Sequence, residues 1–261
     1  MVTENTYKNA WYSHGSGFRL AEAEKAELDE ILPCLHGYHL IQLSEQGLSH
    51  YMSGSLISHR VLVHPTVTTA GQKNKVKAEL DSLPFKSESV DVVVLLHTLE
   101  QVRNPHEILR EVHRILIPEG YLVITGINPL SCWGLWYSWK KMLGKIARAG
   151  HLLGLTRLRD WLKLLNFQVT GGRLFYYRPP ILSQNMIQKT EKIEEIGRKY
   201  WPFLGGAYSI VAVKRVIPLT LMRAKWKTEK QVWLETETIA KPSANRFSTP
   251  KTCMNEQKND K

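Results

Sequence analysis

The residues of this chain that could do chemistry are its ten histidines, its three cysteines and its carboxylates, and their spacing excludes several kinds of site. Cys34, Cys132 and Cys253 lie far apart and are odd in number, so neither a disulfide framework nor a paired-cysteine metal site is predicted. The sequence contains no HExxH, no GxSxG and no P-loop. We therefore expect no zinc protease, serine hydrolase or nucleoside triphosphatase, and no metal site.

His97 has the most informative position, since it directly follows the apolar segment 90–96. Most residues of that segment are apolar and β-branched, as in a parallel strand that is buried on both faces. Ligands of open α/β sheets collect at the carboxyl ends of such strands, so His97 is a candidate binding residue or general base. The alternative is a loop histidine that hydrogen-bonds a backbone carbonyl group.

A helix and a second strand follow, and with segment 90–96 they predict a βαβ unit. Asn104 and Pro105 supply the N-cap and the first position of a helix over 105–116. Pro118-Glu119-Gly120 then predicts a turn into a strand over 121–127. Such units have right-handed crossovers.

The remaining elements alternate in the same way and predict the fold class. Apolar periodicity predicts, in chain order, helix 18–32, strands 39–43 and 60–63, helix 158–167, strand 167–177, helix 183–200 and strand 208–217. This pattern predicts an α/β domain over residues 1–223, with a mostly parallel sheet and helices on both faces. Residues 224–261 are rich in Lys, Pro, Thr and Ser, and they are predicted to be a basic, largely disordered tail.

The segment 79–128 resembles the class I S-adenosylmethionine-dependent methyltransferases and, among these, the type 11 domain. The resembling positions are Glu79, Leu83-Pro84-Phe85, Asp91, His97-Thr98-Leu99-Glu100, Leu109-Arg110-Glu111, Arg114, Leu116, Pro118 and Gly120. The chain to about residue 223 is similar to a bacterial branch of that family. The resemblance implies a Rossmann-like fold with a seven-stranded sheet, S-adenosylmethionine as cofactor, and transfer of its methyl group to an acceptor.

The resemblance also implies which residues hold the cofactor. They follow the first four strands: Ser44, Gly47, His64, Glu79, Leu80 and His97. Glu79 would accept a hydrogen bond from the adenine amino group, and Leu80 would lie beside the ring. Residues 42–48 contain one glycine where the family has three, and His64 replaces the acid that binds the ribose hydroxyl groups. Losing such a charged acceptor costs roughly 1.5–3 kcal/mol of binding free energy.

Residues 131–156 form a Trp-rich, basic segment after the predicted strand 121–127. Trp133, Trp136 and Trp139 are spaced for one helical face, and basic residues lie largely off that face, namely Lys140, Lys141, Lys145 and Arg148. This pattern is typical of a helix that lies in a membrane interface. The other interpretation is a cap whose tryptophans pack on the domain and cover the acceptor site, and the two can coexist.

The formal charge of +11 is concentrated in two stretches, since residues 138–178 carry a net +8 and residues 214–261 a net +6. A basic stretch attracts anionic membranes or nucleic acid, but a solvated face is the commoner explanation, and nucleic acid is not expected as a partner. The first thirty residues lack the basic start and apolar run of a signal peptide. No apolar stretch is long enough to span a bilayer, so we expect a cytoplasmic protein.

The sequence thus predicts a cytoplasmic S-adenosylmethionine-dependent methyltransferase whose unidentified acceptor is small or amphiphilic, with peripheral contact with an anionic membrane as a further property. The first alternative is a catalytically inactive binding or regulatory module with the methyltransferase fold. It is favoured by the altered glycine loop and ribose position. The second alternative is a binder of anionic lipid or nucleic acid.

Overall fold

A computed structural model describes residues 15–44, 50–65, 74–143, 151–178 and 200–216. All of these belong to the first of two compact units, Met1–Pro218, and the second unit, Leu219–Lys261, lies outside the described residues. The predicted domain boundary near residue 223 and the predicted tail also lie outside them. None of the described helices combines the length and the apolar character needed to cross a membrane.

Seven strands form one sheet in the order β3-β2-β1-β4-β5-β7-β6. The strands are β1 His39–Leu43, β2 His59–His64, β3 Lys75–Lys77, β4 Val90–Leu96, β5 Leu116–Ile127, β6 Phe167–Phe175 and β7 Ala207–Lys214. β1 to β5 pair in parallel, and β7 runs antiparallel to both β5 and β6. The prediction of a mostly parallel, seven-stranded sheet is confirmed.

Five α-helices and three short 3₁₀ turns complete the described part of the chain. The helices are α1 Gly15–Ile31, α2 Thr98–Gln101, α3 Pro105–Ile115, α4 Cys132–Met142 and α5 Leu155–Leu164. The 3₁₀ turns are Leu32–Cys34, His50–Met52 and Pro202–Leu204. Helix α5 begins three residues before its predicted start, and the predicted helix 183–200 lies, except for Tyr200, outside the described residues.

Two apolar layers cover the sheet, one on each face. Helix α1 and the segment around Tyr51 cover one face, where Leu28 and Leu32 pack with Val92 and Val94 of β4. Helices α3 and α5 cover the other face through buried side chains that include Ile108, Leu109, Val112, Ile115, Leu158 and Leu162. Burial of these faces provides most of the stabilisation expected of the fold, at roughly 25 cal/mol per Å² of apolar surface.

The start of α3 differs from the predicted cap. Asn104 occupies the N-cap position, but its side chain makes no capping hydrogen bond. Instead, Nδ2 of Asn104 donates to Oε1 of Glu107 at 3.1 Å. Pro105 still fits at the first helical position, because its missing N–H would have no partner within the helix.

The predicted turn at residues 118–120 is a bulge within β5, which already begins at Leu116. Leu116 pairs with Val90 and Tyr121 pairs with Val92. Four residues of β5 therefore lie opposite a single residue of β4. Within this bulge Glu119 adopts a positive φ of 63°. The helix α3 therefore passes directly into the strand.

Candidate functional site

The loops that follow β1 to β4 meet at one edge of the sheet. The four strands are parallel neighbours, and Leu43 of β1 pairs with Val63 of β2 and Leu95 of β4. Ser44 directly follows β1, His64 ends β2 and His97 directly follows β4, while Glu79 lies two residues beyond β3. The structure thus brings these four predicted site residues to the carboxyl edge of the sheet, and Gly47 lies outside the described residues.

The predicted site residues differ in their exposure. Ser44 and His64 are buried, at 0% and 2% exposed, and the backbone N–H of Ser44 donates to the carbonyl group of Val63. Glu79 is exposed. Leu80, in contrast, is buried and packs in the same core cluster as Leu83. The edge therefore offers a solvent-facing carboxylate, while the side chain of the next residue belongs to the core.

His97 lies at the centre of a buried charged cluster. It is 2% exposed, and its backbone has a positive φ of 52°, which turns the chain sharply out of β4 and into α2. Nε2 lies 2.6 Å from Oε1 of Glu24, and Nδ1 lies 3.2 Å from Oε2 of Glu100. The alternative prediction was that the ring hydrogen-bonds a backbone carbonyl group. It is wrong, since both ring nitrogens contact carboxylates.

The two carboxylates determine the protonation of His97. Burial of the ring opposes the charged form, but Glu24 and Glu100 outweigh it and raise the pKa of His97 well above 6.5. Near neutral pH the ring is therefore a cation that donates from both nitrogens.

Glu24 reaches the cluster from the middle of α1. Leu20 and Leu28, one turn before and one turn after it, are buried in the core, and Glu24 itself is 0% exposed. Burial, together with Glu24, raises the pKa of the nearby Tyr51 hydroxyl group. Sequence reasoning missed Glu24, although an acid in the apolar stripe of a helix was an available signal, because such a position is buried only when the charge has a partner.

A second acid of α1 connects the helix to the antiparallel edge of the sheet. Oε1 of Glu27 accepts a hydrogen bond from Ser209 in β7 at 2.9 Å. Oε2 of Glu27 lies 3.3 Å from Nη1 of Arg173 in β6. Helix α1 therefore makes polar contacts with the ends of β4, β6 and β7, and these contacts fix its position over the sheet.

Glu100 joins the cluster to the end of β5. Its Oε1 accepts a hydrogen bond from the backbone N–H of Ile127, and its backbone carbonyl group accepts one from His151. Gly126 is required beside it, since a Cβ atom at that position would lie 2.5 Å from the hydroxyl oxygen of Tyr208 and 2.7 Å from Oε1 of Glu100. Burial and Glu100 together raise the pKa of Tyr208.

Helix α4 covers the first part of the predicted cap segment 131–156, and its three tryptophans do not share one environment. Trp133 is 2% exposed, and its Nε1 donates to the carbonyl group of Arg178 at 2.7 Å. Trp136 is half-buried and has Nζ of Lys140 over its ring at 3.8 Å. Trp139 is 58% exposed. Trp133 therefore anchors the cap to the domain, and Trp139 does not.

A separate cleft lies at the opposite edge of the sheet. It has a volume of about 570 Å³ between α5 and the start of β6, and its lining includes Arg159, Lys163 and Arg215. Phe167 at the start of β6 pairs with Lys214 at the end of β7, which places this cleft at the amino ends of the parallel strands. It is therefore separate from the carboxyl edge that holds His97.

The side chains at the carboxyl edge are suited to S-adenosylmethionine mainly at its adenine end. An adenine ring needs an acceptor for its amino group and an apolar surface for its face. The exposed carboxylate of Glu79 is a group of the first kind, whereas Leu80 beside it is only 6% exposed and belongs to the core. The buried imidazole of His64 ends β2, at the position where the resemblance implies a ribose-binding carboxylate. Among the described residues no group of three His, Cys, Asp or Glu side chains could hold a metal ion.

Comparison with known proteins connects this architecture to a family. A family model described as a methyltransferase domain matches residues 33–124. The uncharacterized protein YafS of Escherichia coli K12 is 32% identical over 213 residues, which cover 80% of this chain and 82% of YafS.

Solved structures share the fold. A SAM-dependent methyltransferase from Thermotoga maritima has a TM-score of 0.58 at 20% identity and covers 81% of this chain and 96% of its own. The methyltransferase in a complex with the Trm112 methyltransferase activator of Haloferax volcanii has a TM-score of 0.56 at 16% identity and covers 74% of this chain and 90% of its own. The family model, the E. coli relative and the shared fold together show that the chain belongs to the class I S-adenosylmethionine-dependent methyltransferases, in the type 11 methyltransferase-domain family.

Proposed function

We propose that the protein transfers a methyl group from S-adenosylmethionine to a small or amphiphilic acceptor. The observation that carries this proposal is the meeting of Ser44, His64, Glu79 and His97 at one edge of four parallel strands. In open α/β sheets this edge is where ligands bind. The cofactor supplies a methyl group that is already activated on a sulfonium. The main catalytic task of the protein is therefore to align the acceptor with that methyl group.

Five residues have proposed contacts with the cofactor. The exposed carboxylate of Glu79 accepts a hydrogen bond from the adenine amino group, and Leu80 lies against the ring. His64 lies near the ribose, where its ring nitrogens replace the acceptor oxygens of the family acid. Ser44 and Gly47 belong to the stretch with the altered glycine pattern, which is proposed to face the methionine end of the cofactor.

His97 is proposed as a positioning residue and not as the general base. A ring that is already protonated cannot accept a proton from the acceptor. Its contacts with Glu24 and Glu100 instead hold α1 and α2 at the carboxyl edge. The acceptor chemistry that suits this site is therefore one in which the nucleophile is already deprotonated, or loses its proton to water.

The cap helix α4 is proposed to border the acceptor site. It directly follows β5, and Trp133 packs against Trp136 and Tyr176 at ring distances of 5.8 and 5.6 Å. Trp133 and Tyr176 are buried, so the half-buried ring of Trp136 is the part of this cluster that would contact the acceptor.

A second candidate function is a module that binds the cofactor or a related nucleoside without methyl transfer. The observation that favours it is the pair of departures at the cofactor edge, since residues 42–48 have one glycine and His64 replaces an acid. Both departures affect the methionine and ribose ends of the cofactor, where the reacting methyl group has to be aligned.

Incubation with methyl-labelled S-adenosylmethionine separates the two functions. The full-length protein is mixed with a bacterial extract that is then divided into lipid, protein, nucleic-acid and small-molecule fractions. Methyl transfer predicts label in one fraction, at a level that falls at least tenfold in Glu79→Ala when the cofactor is below saturation. Cofactor binding without label in any fraction would instead support the non-catalytic module.

A further inference from the structure

The exposed apolar side chains of the described residues are concentrated in two segments. Fourteen large apolar side chains are exposed, and nine of them lie in segments 130–143 and 200–204. These nine are Leu130, Leu135, Trp139, Met142, Leu143, Tyr200, Trp201, Phe203 and Leu204, which we call the cap patch. Scattered exposed apolar residues are ordinary, but a cluster that includes two tryptophans is typical of a binding surface.

The two segments of the cap patch are held together. Nδ2 of Asn128, just before α4, donates to the carbonyl groups of Phe203 and Gly205 at 2.9 and 3.0 Å. A Cβ atom at Gly206 would lie 2.8 Å from the ring of Trp133. The turn at residues 202–204 therefore packs beside the start of the cap helix.

Helix α4 presents the exposed part of the patch on one face. Leu135, Trp139 and Met142 lie four and three residues apart, which places them on the same side of the helix. All three are more than half exposed, whereas Trp133, on the other side, is buried. One side of α4 is thus anchored to the domain and the other is free to contact a partner.

The charge around the patch identifies the partner. The predicted cap segment 131–156 contains four basic residues, Lys140, Lys141, Lys145 and Arg148, and no Asp or Glu. Lysine is depleted from protein–protein interfaces, whereas tryptophan flanked by lysine is the composition of helices that lie in the headgroup region of a bilayer. An anionic bilayer therefore complements both the apolar and the charged component of this surface.

We infer that the cap patch docks the protein on an anionic bilayer surface. Exposed tryptophans enter the headgroup region, and Lys140 and its basic neighbours face the lipid phosphates. This contact is peripheral, and it does not depend on methyl transfer. Docking would bring an amphiphilic acceptor in the bilayer close to the site. That consequence rests on the proposed function.

The test is co-sedimentation of the full chain with vesicles of phosphatidylcholine containing 30% phosphatidylserine, or of phosphatidylcholine alone. We expect binding to the anionic vesicles only, and weaker binding as added salt shortens the screening length. Trp139→Ala combined with Phe203→Ala should reduce the partition coefficient at least fivefold. Its matched control, Phe18→Ala with Tyr38→Ala, removes exposed aromatics outside the patch and should bind like the wild type.

A second pair of variants tests the charge. Lys140→Gln with Lys141→Gln should lower the partition coefficient by roughly fivefold for each lysine. Lys86→Gln with Arg103→Gln, at exposed positions away from the patch, should leave it unchanged. Melting temperatures are measured for every variant, and those at the exposed residues Trp139, Phe203, Lys86 and Arg103 should match the wild type. A loss of binding at an unchanged melting temperature would not reflect unfolding.

Three results would overturn the inference. The first is failure of the wild-type protein to sediment with anionic vesicles at low salt. The second is equal loss of binding in the patch and control variants. The third is a dimer that Trp139→Ala dissociates in sedimentation velocity, without vesicle binding, which would make a second copy the occupant. Titration of S-adenosylhomocysteine into the same variants reports separately on the proposed function.

Discussion

Nε2 of His97 lies 2.6 Å from Oε1 of Glu24, so a histidine at the end of β4 forms a buried ion pair with the middle of helix α1. The two residues are 73 positions apart in the sequence. Their contact fixes α1 over the carboxyl edge of the sheet, where the family binds its cofactor. Because both groups are buried, the pair is sensitive to the loss of either partner.

Replacement of His97 by Asn should strongly destabilise the protein. The change removes the cation and leaves the carboxylates of Glu24 and Glu100 buried without a counter-charge, at a cost of roughly 3–5 kcal/mol. Urea unfolding measures the effect. His39→Asn is the matched control. His39 is exposed, so this variant should lose well under 1 kcal/mol of unfolding free energy. Equal unfolding midpoints in the two variants would contradict the role of the cluster.

The same ion pair predicts a decrease of stability with rising pH. The pKa of His97 is raised in the folded protein above its unfolded value of 6.5, so its contribution is complete below pH 6.5. Above 6.5 the unfolded chain loses the proton first, and the contribution declines until it is gone above the folded pKa.

Free energies of unfolding at several pH values between 6 and 9 measure this decline. The wild type should lose up to about 1.4 kcal/mol per pH unit relative to His97→Asn over that window. Parallel curves for the two proteins would show that His97 binds its proton equally in the folded and unfolded states.

Gly126→Ala should destabilise the junction between Glu100 and β7. The added methyl group would lie 2.5 Å from the hydroxyl oxygen of Tyr208, so the strands must shift, at a cost of about 1–3 kcal/mol. Gly171→Ala is the control, because its new Cβ atom would meet no atom within 4 Å. Thermal melting of both variants distinguishes crowding from a general effect of losing glycine. A Gly126 variant that melts no lower than the control would argue against this packing.

Val112→Asp should unfold the domain or lower its stability by roughly 3 kcal/mol or more, because it places a charge in the core below α3. Arg110→Asp introduces the same residue into the same helix at an exposed position and should change stability little. Circular dichroism melts compare the two. If Val112→Asp melted like the wild type, α3 would not pack on the sheet as described.

The sheet and its two layers could be predicted because they depend on local patterns. Strand β4 coincides with the apolar segment read from the sequence, and Pro105 correctly marks the start of α3. The predicted turn before β5 was wrong. Residues 118–120 are of types that favour a turn, but pairing of Leu116 with Val90 makes them part of the strand. Local signals therefore located six of the seven strands and missed the three-residue β3, while strand pairing determined where the strands end.

The carboxyl-edge position of His64 and His97 was also predictable, since parallel strands place their ends together. The partners of His97 were not, because the contact with Glu24 joins distant segments and depends on how α1 crosses the sheet. The same reason applies to Lys214, which is 3% exposed and donates to the carbonyl groups of His113 and Leu116 at the end of α3. In both cases the buried charge has partners from distant parts of the chain, so no local pattern identifies them.

Isothermal titration of S-adenosylhomocysteine into the full-length protein tests most directly whether the carboxyl edge binds the cofactor. We expect binding in the micromolar range, weakened roughly tenfold in Glu79→Ala, which loses the acceptor for the adenine amino group. Glu22→Ala, which removes an exposed acid from α1, should bind like the wild type. A flat titration at millimolar ligand, or equal affinities in the two variants, would contradict the proposed site.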